Sequence, residues 1–406
     1  MVYRILSLDG GGVWSVIQVL TLIDLYGGED VEGRRVLGDF DLVAANSGGS
    51  LVLGGLLENL TLGKIRRLFQ SAKILGTLFS PTPKIGDEVL HAMTGLGPRY
   101  DAAAKFPAIE RLMPRFGGKT LAEAAAGLRR KGSKEDLRVL IVGFDYDRNH
   151  ATFFRSADSG VPELGAGVGR ASSATLAEAL HASTNAPVNY FDAPAQFPNR
   201  PDRYWDGGIT GLNNPVLAAV VEAANCGVAP NDMVALSLGT GTVALPAASS
   251  EAEEDLIYIR KRPKQNLVAD LGKLATSILD DPPDMATFIA HAMTGYNKGL
   301  PETTVSRIVR MSPLISPVGS PGHWRLPKGV SAAKFAELLN LGLDAIEPEQ
   351  FKLIAKYAAA WIKGAASNQP IRMNWDNLEC VLGHDRYSAA KAAWRAVAQL
   401  PAAELS

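Results

Sequence analysis

Hydrophobic residues fall into two kinds of stretch along this chain: short unbroken runs, and longer segments with helical spacing. The first run, residues 3–8, predicts a buried strand, and the apolar segment 13–25 predicts the helix that follows it. A second unit repeats this order, with a strand at 40–44, a tight turn through Ser47 and a helix from about residue 50. Strands that alternate with helices predict an α/β fold with a mainly parallel sheet covered on both faces.

The same pattern continues to about residue 245 and then changes. Further strand-length runs lie at 137–146, 151–156 and 233–239, and helical spacing recurs at 175–183 and 215–224. Beyond that point the pattern is mainly helical, at 335–346 and 351–364, with one strand candidate at 306–312. We therefore predict an α/β core at residues 1–245. A mainly helical extension, residues 246–406, is predicted to pack on it as one globular unit.

An amphipathic stretch separates the second unit from the strand at 137–146. Its apolar residues recur at helical spacing and are Ile65, Leu68, Phe69, Ala72, Leu75 and Phe79. Such a helix can pack on the core, which is the commoner case, lie on a bilayer, or cover a site as a lid. The basic run at 260–264 is a second candidate for contact with anionic lipid, although short charge runs are usually solvated loops.

Composition narrows the classes of partner. With 41 Lys and Arg against 42 Asp and Glu, the net charge of -1 gives no electrostatic case for nucleic acid. Cys226 and Cys380 are too few for a disulfide framework or a thiolate metal site. The chain opens without the features of a secretory signal, and no apolar stretch reaches about 18 residues. These features predict a cytoplasmic protein, with peripheral membrane contact left open.

Three adjacent glycines, Gly10, Gly11 and Gly12, follow the first predicted strand. At the amino terminus of a helix, such residues leave backbone N–H groups accessible to an anion. The anion is either the phosphate of a bound nucleotide or the oxyanion of a transition state, and a purely structural turn is the third interpretation. The nucleotide interpretation lacks the acidic residue expected at the end of the next strand.

The second turn, Ala45-Asn46-Ser47-Gly48-Gly49, places a serine between a strand and a helix, as in a nucleophile elbow. A simple helix cap by Ser47 explains the sequence equally well. None of the six histidines lies in a context typical of a hydrolase triad. The alternative base is Asp206, which precedes two glycines, although an ordinary Asp-Gly turn gives the same pattern.

Five ordered blocks resemble the patatin-like phospholipase family. They are DGGG at 9–12, FDLVAANSGG at 40–49, HASTNAPVNYF at 181–191, DGG at 206–208 with NNP at 213–215, and SLGTG at 237–241. The resemblance covers about the first 240 residues and implies a three-layer α/β/α fold. It also implies a lipid acyl hydrolase, of phospholipase A or lysophospholipase type, that needs no metal or organic cofactor.

Residue roles follow from the same resemblance. Ser47 would be the nucleophile and Asp206 its base, and the amides of Gly10, Gly11 and Gly12 would form the oxyanion hole. The remaining predicted contacts with the lipid ester substrate are Trp14, Gly48 and Gly207. The reaction implied is ester cleavage through an acyl-enzyme.

The chain departs from the family pattern at two places. Ala45 begins the serine turn where the family usually has glycine, and Trp14 and Ser15 stand where it has a basic residue and a glycine. Loss of that cation weakens the expected recognition of a phosphate head group. A neutral-lipid or general acyl esterase, or a catalytically weak lipid-binding scaffold, therefore remain alternatives. The sequence predicts neither head group, acyl chain, activator nor oligomeric state.

Overall fold

The central element of the protein is an eight-stranded sheet. A computed structural model describes residues 2–83, 97–158, 172–198, 200–248, 250, 283–295 and 306–399. The strands of the central sheet are β1 Tyr3–Leu8, β2 Leu42–Ala45, β3 Arg138–Asp145, β4 His150–Arg155, β5 Ala195–Gln196, β6 Arg203–Asp206, β7 Met233–Leu238 and β9 Ile308–Met311. The strands β8 Thr242–Val243 and β10 Leu314–Ile315 pair with each other, as do β11 Arg372–Asn374 and β12 Glu379–Leu382.

The order across the sheet is β5-β6-β3-β2-β1-β7-β9, with β4 also pairing with β3. From β3 to β9 all neighbours are parallel. The pairs of β3 with β4 and β6, and of β5 with β6, are antiparallel. The sheet is therefore mainly parallel, as the alternation of apolar runs and helical segments predicts.

Helices cover both faces of this sheet. In chain order they are α1 Val16–Tyr26, α2 Gly33–Leu37, α3 Ser47–Leu57, α4 Leu62–Gln70, α5 Ala72–Leu78, α6 Ala102–Leu112, α7 Leu121–Ala125, α8 Leu176–Ser183, α9 Val216–Asn225, α10 Pro283–Met293, α11 Ala332–Leu338, α12 Pro348–Ile362 and α13 Tyr387–Val397. No helix in the described ranges is long and apolar enough to cross a membrane.

Alternate residues of each strand enter two separate hydrophobic cores. Leu6 and Leu8 pack into the larger core, which contains α1, α3, α8, α12 and α13. Ile5 faces the opposite side, where α9 and α10 pack. Because successive side chains of a strand point to opposite faces, one sheet separates the two cores. The predicted three-layer α/β/α fold is confirmed.

The sequence-based boundaries are wrong in two places. The amphipathic stretch is two helices, α4 and α5, because Ser71 accepts a hydrogen bond from the Ile74 amide at 3.3 Å and so caps a new helix. The predicted helix 335–346 ends at Leu338, where the Asn340 side chain donates to the Ala336 carbonyl at 2.6 Å. An asparagine and a glycine close to this end disfavour further helix.

The region beyond residue 245 is not only helical. It contributes β9 to the central sheet, next to β7, together with the short strands β10, β11 and β12. The division of the chain near residue 245 stays a prediction. The basic run at 260–264 lies outside the described residues.

A buried ion pair joins β9 to the first glycine turn. The guanidinium of Arg310 lies 2.6 Å from the Asp9 carboxylate, and both side chains are almost fully buried. Arg310 also donates to Ser237 Oγ at 2.8 Å and to Gln369 Oε1 at 3.0 Å. Burial raises the pKa of Asp9 to about 6, although Arg310 opposes the shift. The turn is thus held from a strand about 300 residues away in the chain.

We expect Arg310→Met to lower the free energy of unfolding by about 3–5 kcal/mol, because it leaves the Asp9 carboxylate buried and unpaired. Urea unfolding measures the change, and the exposed Arg325→Met is the matched control. Equal unfolding midpoints for the two variants would contradict a role for this pair in stability.

Candidate active site

Ser47 is the first residue of α3, directly after the turn that follows β2, and its backbone is strained. Its φ of 48° is in the left-handed region, which non-glycine residues seldom adopt. Its amide donates to Ser183 Oγ at 2.9 Å, and its carbonyl accepts from Ser50 Oγ at 2.6 Å. Asn46 occupies the helix cap position, so the interpretation of Ser47 as a simple cap is wrong. Ala45 ends β2 without a positive φ, so alanine fits there.

Asp206, the last residue of β6, lies directly beside Ser47. Its carboxylate accepts hydrogen bonds from the Gly208 amide at 2.7 Å and from Asn46 Nδ2 at 3.3 Å, and the Ser47 hydroxyl is close enough to lower its pKa. Burial raises the pKa of Asp206 to about 6, and these hydrogen bonds oppose the shift. Above that pH the carboxylate is ionised, and it can accept the serine proton without a histidine.

The glycine turn after β1 faces the same point. The Gly10 amide donates to the Asn213 carbonyl at 2.9 Å, and the Val13 amide donates to the Leu343 carbonyl at 2.8 Å. The amides of Gly11 and Gly12 donate to no acceptor within the described ranges. Of the three amides predicted as oxyanion donors, two therefore remain available in this conformation.

Close contact between the two turns requires glycine on both sides. A Cβ on Gly48 would lie 2.4 Å from the Gly12 carbonyl oxygen, and one on Gly10 would lie 2.9 Å from the Ser47 Cβ. Gly207 is similarly confined, since a Cβ there would lie 2.6 Å from Asn46 Oδ1. Glycine is required at these positions because backbone or side-chain atoms of neighbouring segments already occupy the space that a Cβ would fill.

An apolar cavity of about 40 Å³ opens at Ser47. Gly48, predicted to contact substrate, lines it together with Phe69, Leu75 and Phe79 of the amphipathic stretch. Ile65 of the same stretch is buried in the larger core. The stretch therefore packs on the larger core along its length, and its residues from Phe69 onward also line the cavity.

A second cavity, of about 240 Å³, lies on the other side of the glycine turn. Its lining includes Trp14, Asn213, Thr240 and Arg310. Trp14, predicted to contact substrate, is thus separated from the cavity of Ser47. No group of three or more His, Cys, Asp or Glu side chains suited to a metal ion occurs in the described part of the chain.

The segment after α11, residues 339–345, lies across the glycine turn, whereas the sequence predicted it as helix and not as part of the site. The Gly342 carbonyl accepts from the Trp14 indole at 3.1 Å, and Leu343 lines both cavities. Asp344 pairs with Arg99 at 2.9 Å and accepts a hydrogen bond from the Tyr100 hydroxyl. The segment is far from the glycines in sequence, and no local pattern connects them.

Comparison with known proteins supplies the family. The model described as patatin-like phospholipase matches residues 6–220, more than half of the chain. The chain belongs to the patatin-like phospholipase family. This confirms the resemblance carried by the five sequence blocks.

Two individual proteins show how far the similarity of this patatin-like chain extends. It is 26% identical over 249 residues to a cGAMP-activated phospholipase from Pseudomonas aeruginosa, and the alignment covers 60% of this chain. The chain spans 64% of that relative's length, less than two thirds. The crystal structure of VipD from Legionella pneumophila aligns over 88% of this chain and 67% of its own, at 10% identity and a TM-score of 0.34.

We expect Gly48→Ala to lower the rate of ester hydrolysis by about 10²-fold, because its methyl group would displace the Gly12 amide, and loss of one oxyanion donor has that magnitude. The control is Gly118→Ala, whose Cβ would meet no atom within 4 Å. Hydrolysis of a p-nitrophenyl ester checks both variants. Parent-like activity of Gly48→Ala would contradict the importance of this contact.

Proposed function

We propose that this protein hydrolyses the carboxylic ester bonds of lipids with a Ser47–Asp206 dyad. The observation that carries the proposal is the position of the Ser47 side chain at the buried Asp206 carboxylate, whose pKa it lowers, with Ser47 held at a φ of 48°. Family membership supports the lipid substrate class.

The chemistry follows from the positions of these groups. Ser47 Oγ attacks the ester carbonyl while its proton moves to Asp206, and the amides of Gly11 and Gly12 donate to the oxyanion. Asp206 returns the proton to the leaving alcohol, which departs as the acyl-enzyme forms. Water then attacks the acyl group, gives a proton to Asp206, and Ser47 recovers that proton when the fatty acid leaves. Asp206 therefore acts as base and as acid in both halves.

The substrate proposed first is a phospholipid or lysophospholipid, because of the family and the phospholipase relative. A neutral ester is the alternative, because none of the described residues that line the Ser47 cavity is charged. The apolar lining, which includes Leu51, Phe69 and Phe191, suits an acyl chain in either case. Contact with a membrane surface stays a prediction.

We expect Ser47→Ala and Asp206→Asn to lower turnover by at least about 10³-fold, because each removes a group of the reacting pair. Hydrolysis of labelled phospholipid vesicles and of a short p-nitrophenyl ester measures the loss, with labelling of Ser47 by a fluorophosphonate as a second readout. Asp202→Asn, four residues earlier in the chain, is the matched control.

Unchanged turnover in Ser47→Ala would exclude the dyad. A folded parent protein that hydrolyses neither substrate and resists the fluorophosphonate, both with and without cGAMP, would favour a lipid-binding scaffold. Preference for the short ester over vesicles would favour a neutral acyl esterase.

We further propose that the structure represents a closed state and that a cyclic dinucleotide opens it. The cavity at Ser47, about 40 Å³, is well below the roughly 300–1,000 Å³ of small-molecule sites, and residues 339–345 lie across the glycine turn. The relative's name, cGAMP-activated phospholipase, supports this ligand class.

Adding cGAMP should raise vesicle hydrolysis by roughly 5–150-fold, the range typical of coupling between two sites. A mixture of GMP and AMP is the control, and a rise in melting temperature reports binding apart from activity. An active enzyme that cGAMP neither stimulates nor stabilises would contradict this form of activation.

A further inference from the structure

A buried lysine lies behind the proposed dyad. Lys105, on α6, is only 2% exposed, and its ammonium group donates to Asn185 Oδ1 at 2.7 Å. The same nitrogen lies 3.9 Å from the centre of the Phe191 ring. Lys105 forms no ion pair with a carboxylate in the described ranges. It is therefore a buried amino group whose partners are an amide and an aromatic face.

Asn185 connects this lysine to the dyad. Its backbone carbonyl accepts from the Asp206 amide at 3.0 Å, while its side-chain oxygen accepts from Lys105. Its side-chain nitrogen donates to the Ala193 carbonyl at 2.7 Å, and the residue is completely buried. Asn185 thus binds the backbone of Asp206 through its carbonyl oxygen and Lys105 through its side-chain oxygen.

A lysine in this place is costly for folding. A buried charge without a carboxylate partner is destabilising, and an apolar side chain of similar length would fill the same space at lower cost. Burial accordingly lowers the pKa of Lys105 well below its usual range, while the charge of Asp206 opposes the shift. A lysine at this position is therefore better explained by its effect on Asp206 than by packing.

The titratable groups near Lys105 decide which carboxylate its charge affects. His181 faces it from α8, and both burial and the Lys105 charge lower the pKa of His181, which favours neutral imidazole. The Asp192 side chain lies beside the amino terminus of α6. Its carboxylate accepts a hydrogen bond from the Ala102 amide at 3.0 Å. The charge of Lys105 in turn lowers the pKa of Asp206. Asp206 is thus the carboxylate on which the lysine acts.

We propose that Lys105 is a positioning residue of the active site, which fixes Asp206 through Asn185 and by its charge keeps the Asp206 carboxylate ionised at neutral pH. This inference rests on the proposed function of the dyad. The physical reason is that a cation in a medium of low dielectric constant stabilises the ionised form of a nearby carboxyl group.

Two substitutions separate charge from hydrogen bonding. Lys105→Gln retains a donor for Asn185 but removes the charge, and Lys105→Arg retains the charge. The exposed Lys119→Gln is the control for loss of a lysine charge elsewhere. The 13Cγ resonance of Asp206, identified by its loss in Asp206→Asn, gives the pKa of this carboxyl directly and without any requirement for activity.

Loss of a nearby cation raises a carboxyl pKa, so Lys105→Gln should raise that of Asp206 by about one unit or more, while the control leaves it unchanged. The acid limb of kcat/KM should move upward by the same amount, so the loss of kcat/KM relative to the parent should be larger at low pH than at high pH. Lys105→Arg should retain most of the parent's behaviour. A merely structural lysine would lower kcat equally at every pH.

An Asp206 pKa that is the same in the parent and in Lys105→Gln overturns the inference. If Lys105→Gln does not fold, the 15N shift of Lys105 Nζ in the parent decides: a neutral amine at pH 7 overturns the inference, and an ammonium supports it. Failure of the dyad itself is seen separately, as full activity in Asp206→Asn, and it leaves the NMR titration of the parent and variants interpretable.

Discussion

The parallel pairing of β1 with β2 is the constraint on which the rest of the site depends. Ser7 is paired with Ala44 and Leu8 with Ala45, so both strands end at the same edge of the sheet. The glycine turn and the serine turn therefore leave the sheet side by side, and only residues without a side chain allow them to touch. Ligands of open parallel sheets bind at this edge for the same geometric reason.

The region beyond the family match completes this arrangement. The matched segment ends at residue 220, yet Arg310 of β9 forms the buried ion pair with Asp9, and Leu343 accepts from the Val13 amide. The first contact fixes the start of the glycine turn at Asp9, and the second fixes its end at Val13. The C-terminal region is therefore a structural part of the site, and its movement would change both the cavity at Ser47 and the donors that face it.

Polar groups are buried around Ser47 and Asp206 at a cost to stability. Asp206, Asn46, Asn185 and Lys105 are all nearly inaccessible to solvent, and each has a hydrogen-bond partner. In a medium of low dielectric constant such groups interact strongly with one another, and an apolar set would be more stable. Active sites commonly contain features that lower stability. The strained backbone of Ser47, with its positive φ, is a second such feature here.

Local sequence determined the elements and the motifs. The strands at residues 3–8 and 233–238 and the turns at Gly10–Gly12 and Ser47 follow from hydrophobic period and from the conformational freedom of glycine, which are properties of neighbouring residues. Tertiary structure alone decided that Arg310 meets Asp9, that Lys105 lies behind Asp206, that Trp14 faces a separate cavity, and that residues 339–345 cross the glycine turn. These contacts join residues far apart in the chain, and their partners are fixed by how the layers pack, which no local period records.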